Sequence, residues 1–209
     1  MNFTQVYQHY QIPPNLQQHQ LRVAGITYLI AKHWQAQPKI DPVLMARVGL
    51  VHDMGNILKF GLNSKTAKRY GLTNLSKWQQ VQQEFRRQYG PDEVKATFAI
   101  CRELDLEQEL AILQREHQIY DPPKIAQSPN NWPVKIFLYA DMRVAPQGIV
   151  SLEKRLKDFF ARYHLDQPEW FKAGQSIENQ LQARTTIDIT SINETQLQPL
   201  YSQFLHWQV

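Results

Sequence analysis

The stretch DPVLMARVGLVHDMG, residues 41–55, decides the fold class. Asp41 followed by Pro42 is a helix start: the side chain can accept from the free N–H groups of a first turn, and proline's fixed φ suits the first helical position. An apolar run follows, and the helical pattern fades at Gly55. Near its end the run carries His52 and Asp53 side by side. They are either a helix-end pair, with the carboxylate holding a nearby imidazole N–H, or two ligands of a metal ion.

Outward from this stretch the chain reads as helix almost throughout. Upstream, LQQHQLRVAGITYLIAKHW (16–34) sets Leu21, Ile26, Leu29 and Ile30 at helical spacing, with Asn15 after Pro13–Pro14 as the expected N-cap. Downstream, SKWQQVQQEFRRQYG (76–90) runs from a Ser cap to a Gly stop. PDEVKATFAICREL (91–104) opens with Pro and two carboxylates that suit a helix N-terminus, and DLEQELAILQREHQIY (105–120) follows it. NNWPVKIFLYADMRV (130–144) reads as a buried helix with Asp141 inside it. SLEKRLKDFFARYH (151–164) opens on Ser151, with Glu153 one position early for a capping box. PEWFKAGQSIENQLQA (168–183) and NETQLQPLYSQFLHW (193–207) complete the set. The best strand candidate is TTIDITSI (185–192), whose β-branched residues break alternation. Two connections are long: residues 59–75 and DPPKIAQSPNN (121–131), the second expected to be an irregular surface loop. The expectation is an all-α, single multi-helix domain over residues 1–183, with 184–209 as a C-terminal extension packed on it.

Composition bounds the partners. The chain has 209 residues, enough for one sizeable core, and its formal charge of +4 is spread along its length. That balance suits an anionic small substrate or a weak nucleic-acid contact, and basic and aromatic residues do not interleave as in single-strand binders. The five Trp residues read as packing. Cys101 stands alone in an apolar context and reads as a small buried residue. No apolar run approaches the ~20 residues that cross a bilayer, and MNFTQVYQHYQIPPN has no signal-peptide core, so a cytoplasmic protein without a membrane partner is expected.

The candidate chemistry rests on company. His19 lies upstream in an amphipathic helix, and Asp141 lies downstream among Ile136, Phe137, Leu138, Tyr139 and Met142. An ionised carboxylate there needs a cation or strong donors, either a salt bridge to an arginine such as Arg22 or a metal ion. Two imidazoles and two carboxylates without sulfur suit one divalent ion of Mn, Fe, Co, Ni or Zn, and Mg less well. Four such ligands on an octahedral ion leave two positions, one for an acidified water and one for a phosphoryl oxygen.

His19, then His52–Asp53, then Asp141 resembles the H…HD…D pattern of the HD-domain superfamily of metal-dependent phosphohydrolases. HQLRVAGI is similar to that family's first-His helix, LVHDMGN to its HD helix and YADMRV to its final-Asp helix, so the likeness covers roughly residues 15 to 165. The resemblance implies His19, His52, Asp53 and Asp141 as metal ligands and hydrolysis of a phosphate mono- or diester, nucleotides among them. Met54, Gly55, Asn56 and Ile57 stand where members similar to bacterial 5′-nucleotidases carry an acid, and Val94 stands where a two-metal member would carry a His. A single metal is therefore expected, not the di-iron site of the oxygenase members.

Around these ligands, Arg22 is three residues after His19, on the same helical face, and is expected to bind substrate or to pair with Asp53 or Asp141. Asn56 shares the face of the HD pair if the helix continues. Lys59, Lys65, Lys68 and Arg69 either neutralise a phosphoryl group or form a solvated face. His117 either lines the pocket or is structural. Glu84, Asp92 and Glu93 are general-acid candidates by position only. Asp53 and Arg22 are the expected catalytic pair, acting on a phosphorylated small molecule. The alternative is a non-catalytic helical binding or regulatory module whose metal site is vestigial or structural.

Overall fold

In the computed structural model, residues 1–64, 67, 71–119, 121–164 and 167–209 are described, without the side chain of Tyr163. The structure is organised by two antiparallel partners, the long α2 (Pro14–Lys32) and the shorter α3 (Pro42–Val51), which form the most extensive helix–helix contact among the described residues. Asp41 caps α3 as expected, accepting from Val43 N at 2.8 Å and Leu44 N at 3.4 Å. Helix α2 begins one residue earlier than its expected cap. Pro14 occupies the first turn after Pro13, and the Asn15 side-chain oxygen is buried with no hydrogen-bond partner, so Asn15 caps nothing.

The α2–α3 seam is close because Gly49 permits it. A Cβ at Gly49 would lie 2.5 Å from backbone atoms of Ala24, so the two backbones touch there. Beside this contact the buried Thr27 hydroxyl sits between the carbonyls of Ala24 (2.9 Å) and Met45 (2.8 Å), tying the helices together. The first helix, α1 (Phe3–His9), was not expected from the polar look of the N-terminus. Its Asn2–Gln5 capping box closes its start, and the buried Tyr7 hydroxyl donates to the Leu50 carbonyl at 2.8 Å.

Helix α3 stops at Val51 rather than continuing to Gly55. The chain turns through His52–Gly55 and resumes as a 3-10 turn, Asn56–Lys59. This turn leans on α5 (Glu93–Glu103): Gly55 N donates to Thr97 Oγ1 at 2.9 Å, and a Cβ at Gly55 would lie 2.2 Å from the Glu93 carbonyl oxygen. Helix α4 (Leu75–Tyr89) precedes α5; Asn74 caps it instead of the expected Ser76, and Gly90 ends it. Asp92 caps α5, and α6 (Glu107–Ile119) follows.

DPPKIAQSPNN is irregular only in part, at Asp121 and over residues 128–131. Pro122–Gln127 form a short helix, α7, whose Pro122, Ile125 and Ala126 are buried. Helix α8 (Trp132–Asp141) follows and ends on Asp141, so this carboxylate closes the helix rather than lying within it. A two-residue hairpin, β1 (Val144–Ala145) with β2 (Gly148–Ile149), turns the chain into α9 (Leu152–Tyr163), capped by Ser151, and then α10 (Pro168–Gln182).

Residues 185–192 are not a strand. Beyond a single bridge from Thr185 to Trp34 they form a 3-10 turn, Ile189–Ser191. Arg143 explains this: its buried guanidinium takes the carbonyls of Ile189 (2.8 Å), Thr190 (3.1 Å) and Ile192 (3.2 Å), groups a sheet ladder would need. Helix α11 (Glu194–His206) then packs on α1 and α2 with Leu197 and Phe204 fully buried, and Val209 N donates to the Met1 carbonyl at 2.9 Å. The described residues thus form a single globular all-α domain of eleven α-helices. No helix among them is long and apolar enough to cross a membrane.

Candidate metal centre

Helix α2 contributes His19, the turn after α3 contributes His52 and Asp53, and the last residue of α8 contributes Asp141. His52 is the most constrained. Its ring sits 5.3 Å from the buried Phe137 ring in an edge-on contact, and its Nδ1 is 2.8 Å from the Gly49 carbonyl oxygen. A carbonyl only accepts, so Nδ1 carries the proton and, in the neutral ring, Nε2 keeps its lone pair facing the cluster. The close α2–α3 crossing brings His19 Nε2 to 3.1 Å from that atom.

The carboxylates complete the group. Asp141 Oδ1 is 3.1 Å from His19 Nε2 and 3.8 Å from His52 Nε2, while Asp53 Oδ2 is 3.5 Å from both nitrogens. Donor atoms about 2.1 Å from a common ion stand roughly 3.0 Å apart at right angles and roughly 3.4 Å apart at tetrahedral angles. The observed separations therefore match a ligand set drawn in around a shared centre. The tightest grouping is His19, His52 and Asp141, whose donor atoms all lie within 4.8 Å of one another; Asp53 is not in that group. The two imidazoles and the carboxylate thus form a group that could hold a metal ion.

Electrostatics agree with that chemistry. Burial disfavours charge on His19, but the hydrogen-bonded carboxylate of Asp141, with Asp53 beside it, raises its pKa above the usual imidazole value. Burial likewise opposes ionisation of Asp141, yet the hydrogen bond from His19 and the positive charge of His19, His52 and Arg155 hold it well below the usual carboxylate range. Asp141 is thus set to stay anionic, and a cation bound at the cluster would take the place of the His19 proton.

Two cavities meet at the cluster, sharing Glu116, Leu138 and Asp141 in their walls. The polar one, about 210 Å³, is lined by His52, Asp53, Asn56, Lys59, Glu93 and His117 among others. Asn56 reaches it from the 3-10 turn, not along a continued helix. The apolar one, about 140 Å³, extends from Asp141 toward Arg155, Phe159 and Trp170.

Arg22 is elsewhere. Its Nε donates to Glu194 of the C-terminal segment at 2.9 Å, and it lines a separate surface groove with Arg143. The expected pairing with Asp53 or Asp141 is therefore replaced by Glu194, which the sequence places far away and the packing of α11 brings onto α2. Lys65 lies outside the described residues, as do Lys68 and Arg69. Glu84 is committed to Arg87 at the surface and Asp92 to the first N–H groups of α5.

Sequence reasoning missed three residues. Glu116 on α6 lines both cavities, and burial together with the charges of Asp141 and Asp53 pushes its carboxyl up to about 7. Arg155 on α9 acts on Asp141 and His19 through its charge. Trp170, expected as packing, lines the apolar cavity. Neither Glu116 nor Trp170 lies in a motif; the only legible hint was that Arg155 and Phe159, four apart, share a helical face.

Comparison with family models, with curated proteins and with solved structures returned no match.

Proposed function

We propose that His19, His52, Asp53 and Asp141 bind one divalent transition-metal ion and that the protein is an HD-type phosphohydrolase of a small phosphate ester. The observation that carries this reading is the convergence of two imidazole nitrogens and a carboxylate oxygen within 4.8 Å, with His52 held in the metal-binding tautomer by the Gly49 carbonyl. A divalent ion bound there supplies Lewis acidity toward a phosphoryl oxygen and lowers the pKa of water toward about 7.

The chain's own groups do the rest. The Gly49 carbonyl and the Phe137 ring fix the His52 imidazole, so its Nε2 needs no reorganisation. Asp53 and Asp141 offset the cation's charge and accept from water at the cluster. Asn56 and Lys59 line the polar cavity, where a phosphate would meet an amide and an ammonium group. Glu116, facing both cavities, can hold a proton near neutral pH for the leaving oxygen.

Elemental analysis of the purified protein tests the reading, with Asp53→Ala and Asp141→Ala alongside and 4-nitrophenyl phosphate and its bis-ester as substrates. About one transition-metal ion per chain in the wild type, loss of it in Asp141→Ala and metal-dependent release of nitrophenol are expected. A wild type that takes up no ion from Mn²⁺, Fe²⁺, Co²⁺, Ni²⁺ or Zn²⁺ would falsify it, leaving the cluster as a hydrogen-bonded structural group.

A further inference from the structure

The apolar cavity has no role in holding the metal, yet it opens directly on Asp141. Its far wall is made by two rings: Phe159 of α9 and Trp170 of α10 lie nearly parallel, 21° between planes, with centroids 6.3 Å apart. Ile125, Leu138 and Met142 supply the remaining apolar surface. A flat apolar wall of this kind favours a flat ring over a sugar or a solvated chain.

Arg155 connects this wall to the cluster. It lies one helical turn before Phe159, so both side chains project from one face of α9. The Arg155 side chain is 18% exposed, and its Nη1 stands 3.8 Å from the Asp158 carboxylate, an ion-pair distance that leaves this nitrogen without a hydrogen-bond acceptor among the described residues. A buried guanidinium N–H without an acceptor is costly and calls for an anion. Arg155 and Asp141 line the same cavity, so an anion held by Arg155 there lies beside the cluster. The planar fork of arginine suits a phosphate there.

We infer that Arg155 with the Phe159–Trp170 wall is the substrate subsite: the phosphate bridges the cluster and Arg155, and a flat aromatic ring attached to it lies against Phe159 and Trp170. This deepens the phosphohydrolase reading and rests on the cluster binding a divalent ion. It assigns to Arg155 the anion-binding part that Arg22, held by Glu194, does not play. The polar cavity on the other side of Glu116 takes water and the phosphate oxygens that face Asn56 and Lys59. The ring is a nucleobase or a simpler aryl group; both share the flat apolar face the wall selects.

Calorimetric titration of Mn²⁺-loaded protein with phenylphosphonate and with methylphosphonate tests this without turnover. The two probes carry the same non-hydrolysable head group and differ only by the ring. Phenylphosphonate is expected to bind about tenfold tighter, an advantage that falls below about twofold in Trp170→Ala and in Phe159→Ala. Methylphosphonate affinity stays unchanged in those two variants, which shows that they remain folded and loaded. Arg155→Gln weakens both probes by a similar factor. The 5′-phosphonate of adenosine separates the sources of the ring: binding tighter than phenylphosphonate marks a nucleobase site, and weaker binding a smaller aryl site. Equal affinity for the two simple phosphonates, an advantage that survives both aromatic substitutions, or no phosphonate binding to the loaded protein overturns the inference. If metal and methylphosphonate bind while the ring adds nothing, only this inference falls. If no metal binds, the parent reading falls with it.

Discussion

Gly49 and Gly174 each sit where one helix crosses another, and a methyl group would meet different things at the two places. At Gly49 it would meet the backbone of Ala24 at 2.5 Å. At Gly174, on α10, it would meet only side-chain carbons of Leu152 and Leu156, at 3.3 Å. The α2–α3 seam is thus closed backbone to backbone, while the α9–α10 arm is closed through leucines that can shift. The candidate metal ligands His19 and His52 stand on the seam, and Arg155, Phe159 and Trp170, the residues of the proposed substrate subsite, stand on the arm. A ligand set needs donor atoms fixed to a few tenths of an ångström, and backbone contact gives that; a substrate wall tolerates adjustment.

The sharpest way to break this contrast is to fill both glycines. Gly49→Ala should destabilise by about 3 kcal/mol, because neither backbone can yield without moving its helix. The Gly49 carbonyl that orients His52 would move with it, so metal content should fall as well. Gly174→Ala should be nearly neutral, since the leucine contacts offset a gain in helix propensity of about 1 kcal/mol. Thermal melts and elemental analysis of both variants decide the point; equal losses would show that the seam is no more rigid than the arm.

The seam was also the more legible region. Asp41–Pro42, the spacing of Leu21, Ile26 and Ile30, and the order His19, His52, Asp53, Asp141 are local signals, and the helices they announce are there. What the sequence hid is long-range. Helix α3 ends early because the HD turn is pinned by Thr97 of α5. The Ile-rich segment 185–192 fails as a strand because Arg143 consumes its carbonyls. Helix α7 was concealed by its prolines, which sit at the first turn where they are tolerated. Arg22 had the right spacing, but i+3 proximity on a helix does not decide which partner arrives from elsewhere, and Glu194 does. Glu116 and Trp170 join the site only through tertiary packing, so no spacing could announce them.

A second, smaller effect separates the cluster with and without metal. In the chelated protein His19 has a raised pKa and Asp141 a lowered one. The raised imidazole contributes stability that is fully present below its unfolded value, near 6.5, and is lost as pH rises through the folded value. The lowered carboxylate contributes stability present above its unfolded value, near 3.9, and lost as pH falls through the folded one. Chelated protein should therefore be best stabilised by this contact between roughly pH 4 and 6.5, then decline, with a slope of at most about 1.4 kcal/mol per pH unit for the one proton. Metal binding has the opposite sign, because the ion needs the nitrogen the proton occupies, so the rise in Tm on adding Mn²⁺ should grow with pH. Parallel pH–Tm curves for chelated and loaded protein would show that the two do not compete at His19.

The smallest expected effect tests the arm alone. Ser151 accepts from Lys154 N at 3.2 Å and holds the first turn of α9. Glu153 does not close a capping box and instead pairs with Lys157 at 2.6 Å on the exposed face. Ser151→Ala removes the only side-chain cap the helix has at that end and should cost about 1 kcal/mol. Fraying of that turn reaches Arg155 and, one turn on, Phe159, but it does not reach the seam. Metal content should stay at the wild-type level while phenylphosphonate loses affinity relative to methylphosphonate. Loss of metal in Ser151→Ala would mean that the arm helps to build the cluster, through the charge Arg155 places on Asp141, and that seam and arm are one unit.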